Sequence, residues 1–171
     1  MTHDQATALA TEIARVFRRR MLDEAMCRIH HCVSMLSDAQ VWQRPAANCN
    51  SIANLLLHLQ GNVRQWIVAG LGGVADQRDR PAEFAAQGSA GQPSGRQLVE
   101  QLEATVRAAV DVVERQTPAA LLASYPFQQG KFPDTGVGCV LHVLEHFSGH
   151  AFQIYDRTKQ ATGKDLRFYD L

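Results

Sequence analysis

Apolar positions recur every three or four residues along four long stretches of the chain, the spacing of an α-helix that buries one face. Leu9, Ile13, Val16, Phe17, Met21, Leu22 and Ile29 mark the first, which the spacing predicts over residues 4–36. Ser37 and Asp38 begin a turn-rich connection reaching Asn50, where Asn48, Asn50 or Ser51 is placed to cap a second helix over residues 51–71. Gly72 and Gly73 close it. Ser94 is placed to cap a third, on which Leu98, Leu102, Val106, Val110 and Val113 form a regular stripe up to the break at Thr117 and Pro118. The fourth begins after Thr135 and ends near Gly163, with Val140, Val143, Leu144, Phe147, Ala151 and Ile154 as a broad apolar arc.

The connections carry their own information. Residues 74–95 are rich in glycine, proline and polar side chains, too long for a simple helical hairpin and suited to crossing the end of a bundle or carrying a functional loop. Residues 119–134 read as a short helical segment and then an extended turn, favoured by Pro126, Gly130 and Pro133. No internal repeat or low-complexity tract interrupts the pattern, so the expected fold is an all-α four-helix bundle, a single domain over residues 1–171. A chain of 171 residues buries enough apolar surface to fold without a disulfide or structural metal, which makes any metal a functional one.

Charge narrows the partners. Lys plus Arg and Asp plus Glu both number 17, so no net field draws the chain to nucleic acid or to an anionic membrane. A small-molecule substrate or a protein partner suits it better. Arg18, Arg19 and Arg20 lie within a helical pattern without interleaved aromatics and read as a solvated helix face. Cys27, Cys32, Cys49 and Cys139 form no C-x-x-C pair, so reduced and mostly buried thiols are expected. The first residues lack a signal-peptide pattern and no apolar run approaches the ~20 residues that span a bilayer, from which a cytoplasmic location is expected.

Candidate chemistry centres on histidine. His146 and His150 stand four residues apart on the fourth helix, on one face and about one turn apart, at the edge of its apolar arc. His142 falls further into the polar side and two turns from His150, too far to share a small ion with it at Zn–N distances of about 2.0–2.1 Å. His58 borders the arc of Ile52, Leu55, Leu59, Val63 and Trp66 on the second helix. The three imidazoles could converge on one ion with coordination positions left open. The same pattern also suits a hydrogen-bonded surface pair and a satisfied core histidine, and spacing alone leaves both readings standing.

NSIANLLLHLQGNVRQWI and CVLHVLEHFSGHAFQI, separated by a third helix and followed by GKDLRFYDL, resemble the DinB/YfiT-like superfamily of bacterial metal-binding four-helix proteins. The resemblance covers nearly the whole chain and rests on the order of the helix-two histidine, the later H-x-x-x-H pair and the FYDL ending. It implies an up-down-down-up bundle with long crossovers, homodimerisation, and a divalent ion, zinc or nickel, on His58, His146 and His150. It further implies thiol-dependent transferase or isomerase chemistry with a low-molecular-weight thiol such as mycothiol, bacillithiol or glutathione, or metal-dependent hydrolysis. Where that family often has adjacent histidines before a basic residue and Gly-Gln, this chain reads Gly149, His150, Ala151, Phe152, Gln153, so no substrate carries over.

Three neutral imidazoles leave a divalent ion cationic and short of ligands, so a bound thiol or water loses its proton near neutral pH. Asn62 and Trp66 continue the His58 stripe at four-residue steps and, with His142, are candidates to contact substrate or support a ligand, although ordinary helix packing explains Asn62 and Trp66 as well. Glu145 projects away from the His146 and His150 edge toward solvent or an interface, and Cys139 reads as a buried structural thiol. No catalytic residue is assigned, and no serine, histidine and acid constellation is present. A metal-dependent thiol-transferase-like enzyme leads these expectations, beside a hydrolase and a non-catalytic metal-binding regulatory or stress-response dimer.

Overall fold

The computed structural model describes residues 2–127 and 132–170, and both Gly130 of the expected turn and the last residue of the FYDL ending lie outside them. The first long helix is continuous through α1 (His3–Arg18), a π-helical run π1 (Arg19–Met26) and α2 (Cys27–Ser34). Thr2 caps it in a reciprocal box with Gln5. Its buried positions explain the π run: Ala14, Phe17 and Met21 step by three and four, the next step to Met26 is five, and Ile29 and Val33 resume the helical interval. Wider winding between Met21 and Met26 keeps both on the core side. Leu9, placed on the apolar stripe by its spacing, is 52% exposed, because the helix overhangs the core near its start.

The second long helix is α4 (Ile52–Val63) continued by π2 (Arg64–Leu71), the third is α6 (Gly95–Glu114), and the fourth is α8 (Gly136–Thr162). Ser51, Ser94 and Thr135 cap them, and Gly163 ends α8 in the left-handed conformation at φ 65°. The segment after Thr117 is a short helix, α7 (Pro118–Leu122), and then an antiparallel hairpin of β1 (Ser124–Phe127) and β2 (Phe132–Thr135), with Ser124 opposite Thr135. Two short helices break the connections read as irregular. Ser37 and Gln40 box the start of α3 (Asp38–Trp42), and Asp79 caps α5 (Arg80–Ala85), whose first turn carries Pro81.

The structure is predominantly helical and its buried apolar side chains form one continuous core. α6 packs against the first long helix and against α4 and π2, and α8 packs against both of these as well, so that α4 has α6 on one side and α8 on the other. Phe17, Leu55, Leu59, Leu102, Val106, Val143 and Ile154 meet there with almost no exposure. The arginine cluster faces outward as expected: Arg18 pairs with Glu114, and Arg19 and Arg20 with Glu24. The thiols divide evenly, Cys32 and Cys139 being buried while Cys27 is exposed and Cys49 half-buried. No helix among the described residues is long and apolar enough to cross a membrane.

Phe17 is fully buried at the meeting of the first helix with α6. Phe17→Ala is expected to lower unfolding stability by about 3–5 kcal/mol, measured by denaturant titration, since the surrounding side chains cannot close the cavity. A loss below about 1 kcal/mol would show that this end of the core is loosely packed.

Candidate metal centre

α4 and α8 run antiparallel with a polar seam between them. Ile52 of α4 and Arg157 of α8 line one cavity at one end of it, His58 meets His146 and His150 in the middle, and Asn62 meets His142 at the other end. The His58 and His146 Nε2 atoms stand 3.0 Å apart, and ring centroids are 5.0 Å from His58 to His150 and 4.6 Å from His146 to His150. Ligand-capable nitrogens of all three lie within 4.8 Å of one another. Two nitrogens on one tetrahedral zinc would be about 3.3 Å apart, given Zn–N distances of about 2.0–2.1 Å, so the spacing suits a shared ion.

What fixes His58 comes from a part of the chain that periodicity left blank. Its Nδ1 faces Glu83 Oε2 at 2.8 Å, and Arg78 grips the same carboxylate twice, Nε to Oε1 at 2.7 Å and Nη2 to Oε2 at 3.0 Å. All three side chains are more than nine-tenths buried. Arg78 Nη2 also lies 3.1 Å from His58 Nδ1, a closeness that follows from both donors serving one carboxylate oxygen. An ionised Glu83 accepts from each, which places the proton of His58 on Nδ1 and leaves the Nε2 lone pair facing His146. Arg78 Nη1 donates to Gln65 Oε1 at 2.9 Å, so π2 holds the other edge of the guanidinium.

α4 is built to receive this group. Asn54, fully buried, accepts from Ser51 in the helix cap and donates through Nδ2 to the carbonyls of Glu83 and Ala86, both at 2.9 Å. Arg44 donates to the carbonyl of Phe84, and the Phe84 ring lies on His58 at 4.7 Å. Seven residues beyond Asn54, Gly61 leaves the space that the carboxylate fills: a Cβ there would stand 1.9 Å from Glu83 Oε1 and 3.0 Å from Arg78 Nε. A glycine within a helix costs about 0.5–1 kcal/mol against alanine, a small charge against leaving Arg78 and Glu83 buried apart.

Electrostatics keeps His146 and His150 unprotonated. Burial pushes His146 down from its ordinary 6.5 to about 3, helped by the nearby charges of His150, His58, His142 and Arg78. Burial also lowers His150, with His58 and Arg157 acting the same way against a hydrogen bond to Gln153 Oε1 at 3.0 Å. That bond takes the His150 Nδ1 proton and frees Nε2. Burial works against ionisation of Glu83, but hydrogen bonds from His58 and Arg78 outweigh it and hold the carboxyl below its ordinary value. His58 and His150 therefore hold their Nδ1 protons on Glu83 and Gln153 and turn Nε2 to the shared space, where His146 Nε2 meets that of His58.

The remaining candidates have definite places. His142 stacks on His146 at 5.5 Å, Trp66 covers His142 at 4.2 Å, and Asn62 Nδ2 approaches His142 Nε2 at 3.4 Å. His142 thus reaches the centre through the His146 ring. Glu145 is exposed, and Cys139 is buried with its thiol pushed up to about 12 by burial, which removes it from thiolate chemistry. Asn54, Gly61, Arg78 and Glu83 were missed by helical projection. Gly61, inside an otherwise apolar helix, was the one visible sign that something approaches the backbone closely.

Between pH 6.5 and about 3 the unfolded chain binds a proton that folded His146 refuses, so the metal-free protein should lose stability as pH falls through that window. The expected observation is a Tm, followed by circular dichroism in chelator, that declines with acidification and declines less steeply in His146→Gln. An equally steep profile in that variant would remove His146 as the source.

Comparison with known proteins bears on fold and descent. No curated protein matches the chain. Among solved structures, a DinB-like protein (YjoA) from Bacillus subtilis aligns with TM-score 0.66 at 15% identity, covering 92% of this chain and 97% of its own. A conserved protein from Enterococcus faecalis aligns with TM-score 0.65 at 16% identity, covering 92% and 98%. A DinB-like protein from Bacillus cereus ATCC 10987 gives 0.61 at 15%, covering 81% and 87%. At these identities the likeness is one of fold. The family model described as the DinB superfamily matches residues 21–154, from the π1 run through both helices that carry the histidines. With most of its length matched, the chain belongs to the DinB superfamily.

Proposed function

We propose that this protein holds one divalent ion, zinc or nickel, on His58, His146 and His150, and uses it as a metal-dependent enzyme of the thiol-transferase kind. The observation that carries the metal is the His58, Glu83 and Arg78 relay. A carboxylate that orients a histidine and raises its basicity is the common support of a metal ligand, whereas a buried ion pair is weak evidence for stability as such. When bound, the ion would act as a Lewis acid that lowers the pKa of a coordinated thiol or water toward neutrality.

The side chains divide the remaining work. His146 and His150 are kept neutral by burial and offer lone pairs without first releasing a proton. Glu83, its own charge balanced by Arg78, accepts from His58 Nδ1–H and so holds the ring with Nε2 toward the ion. Phe84 on one side and the His142 and Trp66 stack on the other restrict water around the imidazoles. The thiol would come from a low-molecular-weight cofactor, since among the described residues no cysteine joins the cluster of the three histidines and the buried thiols of Cys32 and Cys139 are raised to about 11 and about 12.

Tag-free protein purified without chelator is expected to carry about one ion per chain by plasma mass spectrometry, and His146→Ala to lose it while keeping its helical circular dichroism. Unchanged stoichiometry in the variant would overturn the ligand set. Turnover that needs both the ion and an added thiol supports the transferase reading. Thiol-independent hydrolysis would replace it with hydrolase chemistry, and a bound ion without turnover across both screens with a regulatory metal-binding role.

Gly61→Ala pushes the Glu83 carboxylate out of its place without touching a ligand. Metal affinity is expected to fall about 10–100-fold in competition with a chromophoric chelator, the usual cost of losing the group behind a metal-bound histidine. Wild-type affinity in this variant would mean that Glu83 does not support the centre.

A further inference from the structure

Among the described residues only two buried side-chain atoms lack a hydrogen-bond partner, Asn62 Oδ1 and Arg157 Nη1, and both lie on the α4 and α8 seam, on either side of the histidines. Arg157 is the more telling. An unpaired buried guanidinium nitrogen is costly, and natural proteins rarely leave one without a use. Its charge already bears on His150, two helical turns away along the same helix, or about 10 Å at 1.5 Å per residue.

Arg157 lines a cavity of about 200 Å³ with Gln40, Gln43, Pro45, Ile52, Gln160 and Ala161. It is the one charged residue in that lining. The neighbouring Asp156 does not neutralise it at close range: its carboxylate takes a 2.6 Å hydrogen bond from Gln160 Nε2 and no ion pair with Arg157 forms. Gln40 Nε2 is turned to the carbonyl of Ala161, and Ile52, Pro45 and Ala161 supply an apolar wall. Nη1 is itself closed to solvent, so the cavity meets Arg157 through the rest of its side chain, which forms no hydrogen bond or ion pair among the described residues; that lone cation, flanking glutamine side chains and an apolar wall suit a singly charged planar anion with a short hydrocarbon tail, and a phosphate would find too little positive charge.

We propose that this cavity is a carboxylate-binding subsite, in which Arg157 receives the carboxylate of a small molecule lying at the end of the histidine seam. Its bearing on chemistry rests on the metal-centre reading, where it would favour substrates or thiols that carry a carboxylate. Carboxylate binding itself requires no ion.

The test uses the full chain stripped of metal, with hexanoate and its neutral counterpart hexanamide as probes, titrated while the Ile52 methyl signal is followed by NMR. Hexanoate should bind about tenfold or more tightly than hexanamide, the value of a charge-assisted hydrogen bond. Arg157→Gln should abolish the difference. Gln43→Glu, an exposed change that leaves Arg157 in place, should weaken hexanoate alone. Equal binding of acid and amide, or discrimination that survives Arg157→Gln, would overturn the proposal, as would inorganic phosphate displacing hexanoate at lower concentration than acetate does. Zinc stoichiometry measured on the same proteins reports separately on the metal centre: its absence beside intact acid discrimination defeats that reading alone.

Discussion

The interaction on which the rest of the site depends is the buried contact of His58 with Glu83, held from behind by Arg78. An imidazole with two ring nitrogens presents a different face for each tautomer, and burial alone does not choose between them. An ionised carboxylate does. Once Glu83 accepts a hydrogen bond from Nδ1–H, the lone pair on Nε2 has to face α8, where His146 and His150 stand. Removing water makes the choice stiffer, because an unpaired carboxylate or guanidinium in this position would cost several kcal/mol.

That contact sets demands on the surrounding backbone. The loop carrying Arg78 and Glu83 is docked by Asn54, whose amide is fully used between the helix cap and the carbonyls of α5. Gly61 gives up helix propensity to admit the carboxylate. The buried face of α4 therefore does two jobs with one period: Leu55, Leu59 and Val63 supply the core, while Asn54, His58, Gly61 and Asn62 face the loop and α8. Between core and site there is no spacer, and strain in either is transmitted to the other through close packing.

A stripe of polar groups enclosed between two helices is expensive unless each is satisfied. Most are satisfied here, by the loop for Asn54 and His58, by Gln153 for His150, and by Asn62 and the Trp66 ring for His142. Solved structures with the same fold align over 92% of the chain at 15–16% identity, so the scaffold tolerates wide change in sequence.

The sequence by itself determined the helices, because helical periodicity and caps are local: Ser51, Ser94 and Thr135 start the second, third and fourth helices where the pattern places them. It also put His146 beside His150, since four residues make one turn. The same local signals, a boxed Ser37 and a capped Pro81 turn, were present for α3 and α5 but were too short to stand out against a loop-like composition. Leu9 shows the opposite limit, an apolar position that meets no partner. Only the tertiary structure decided that His58 approaches α8, that residue 83 lies behind it, and that Gly61 makes the room. Those are distances between segments far apart in the chain, set by how the helices pack and by which buried polar groups find each other, and no periodicity along a single helix encodes them.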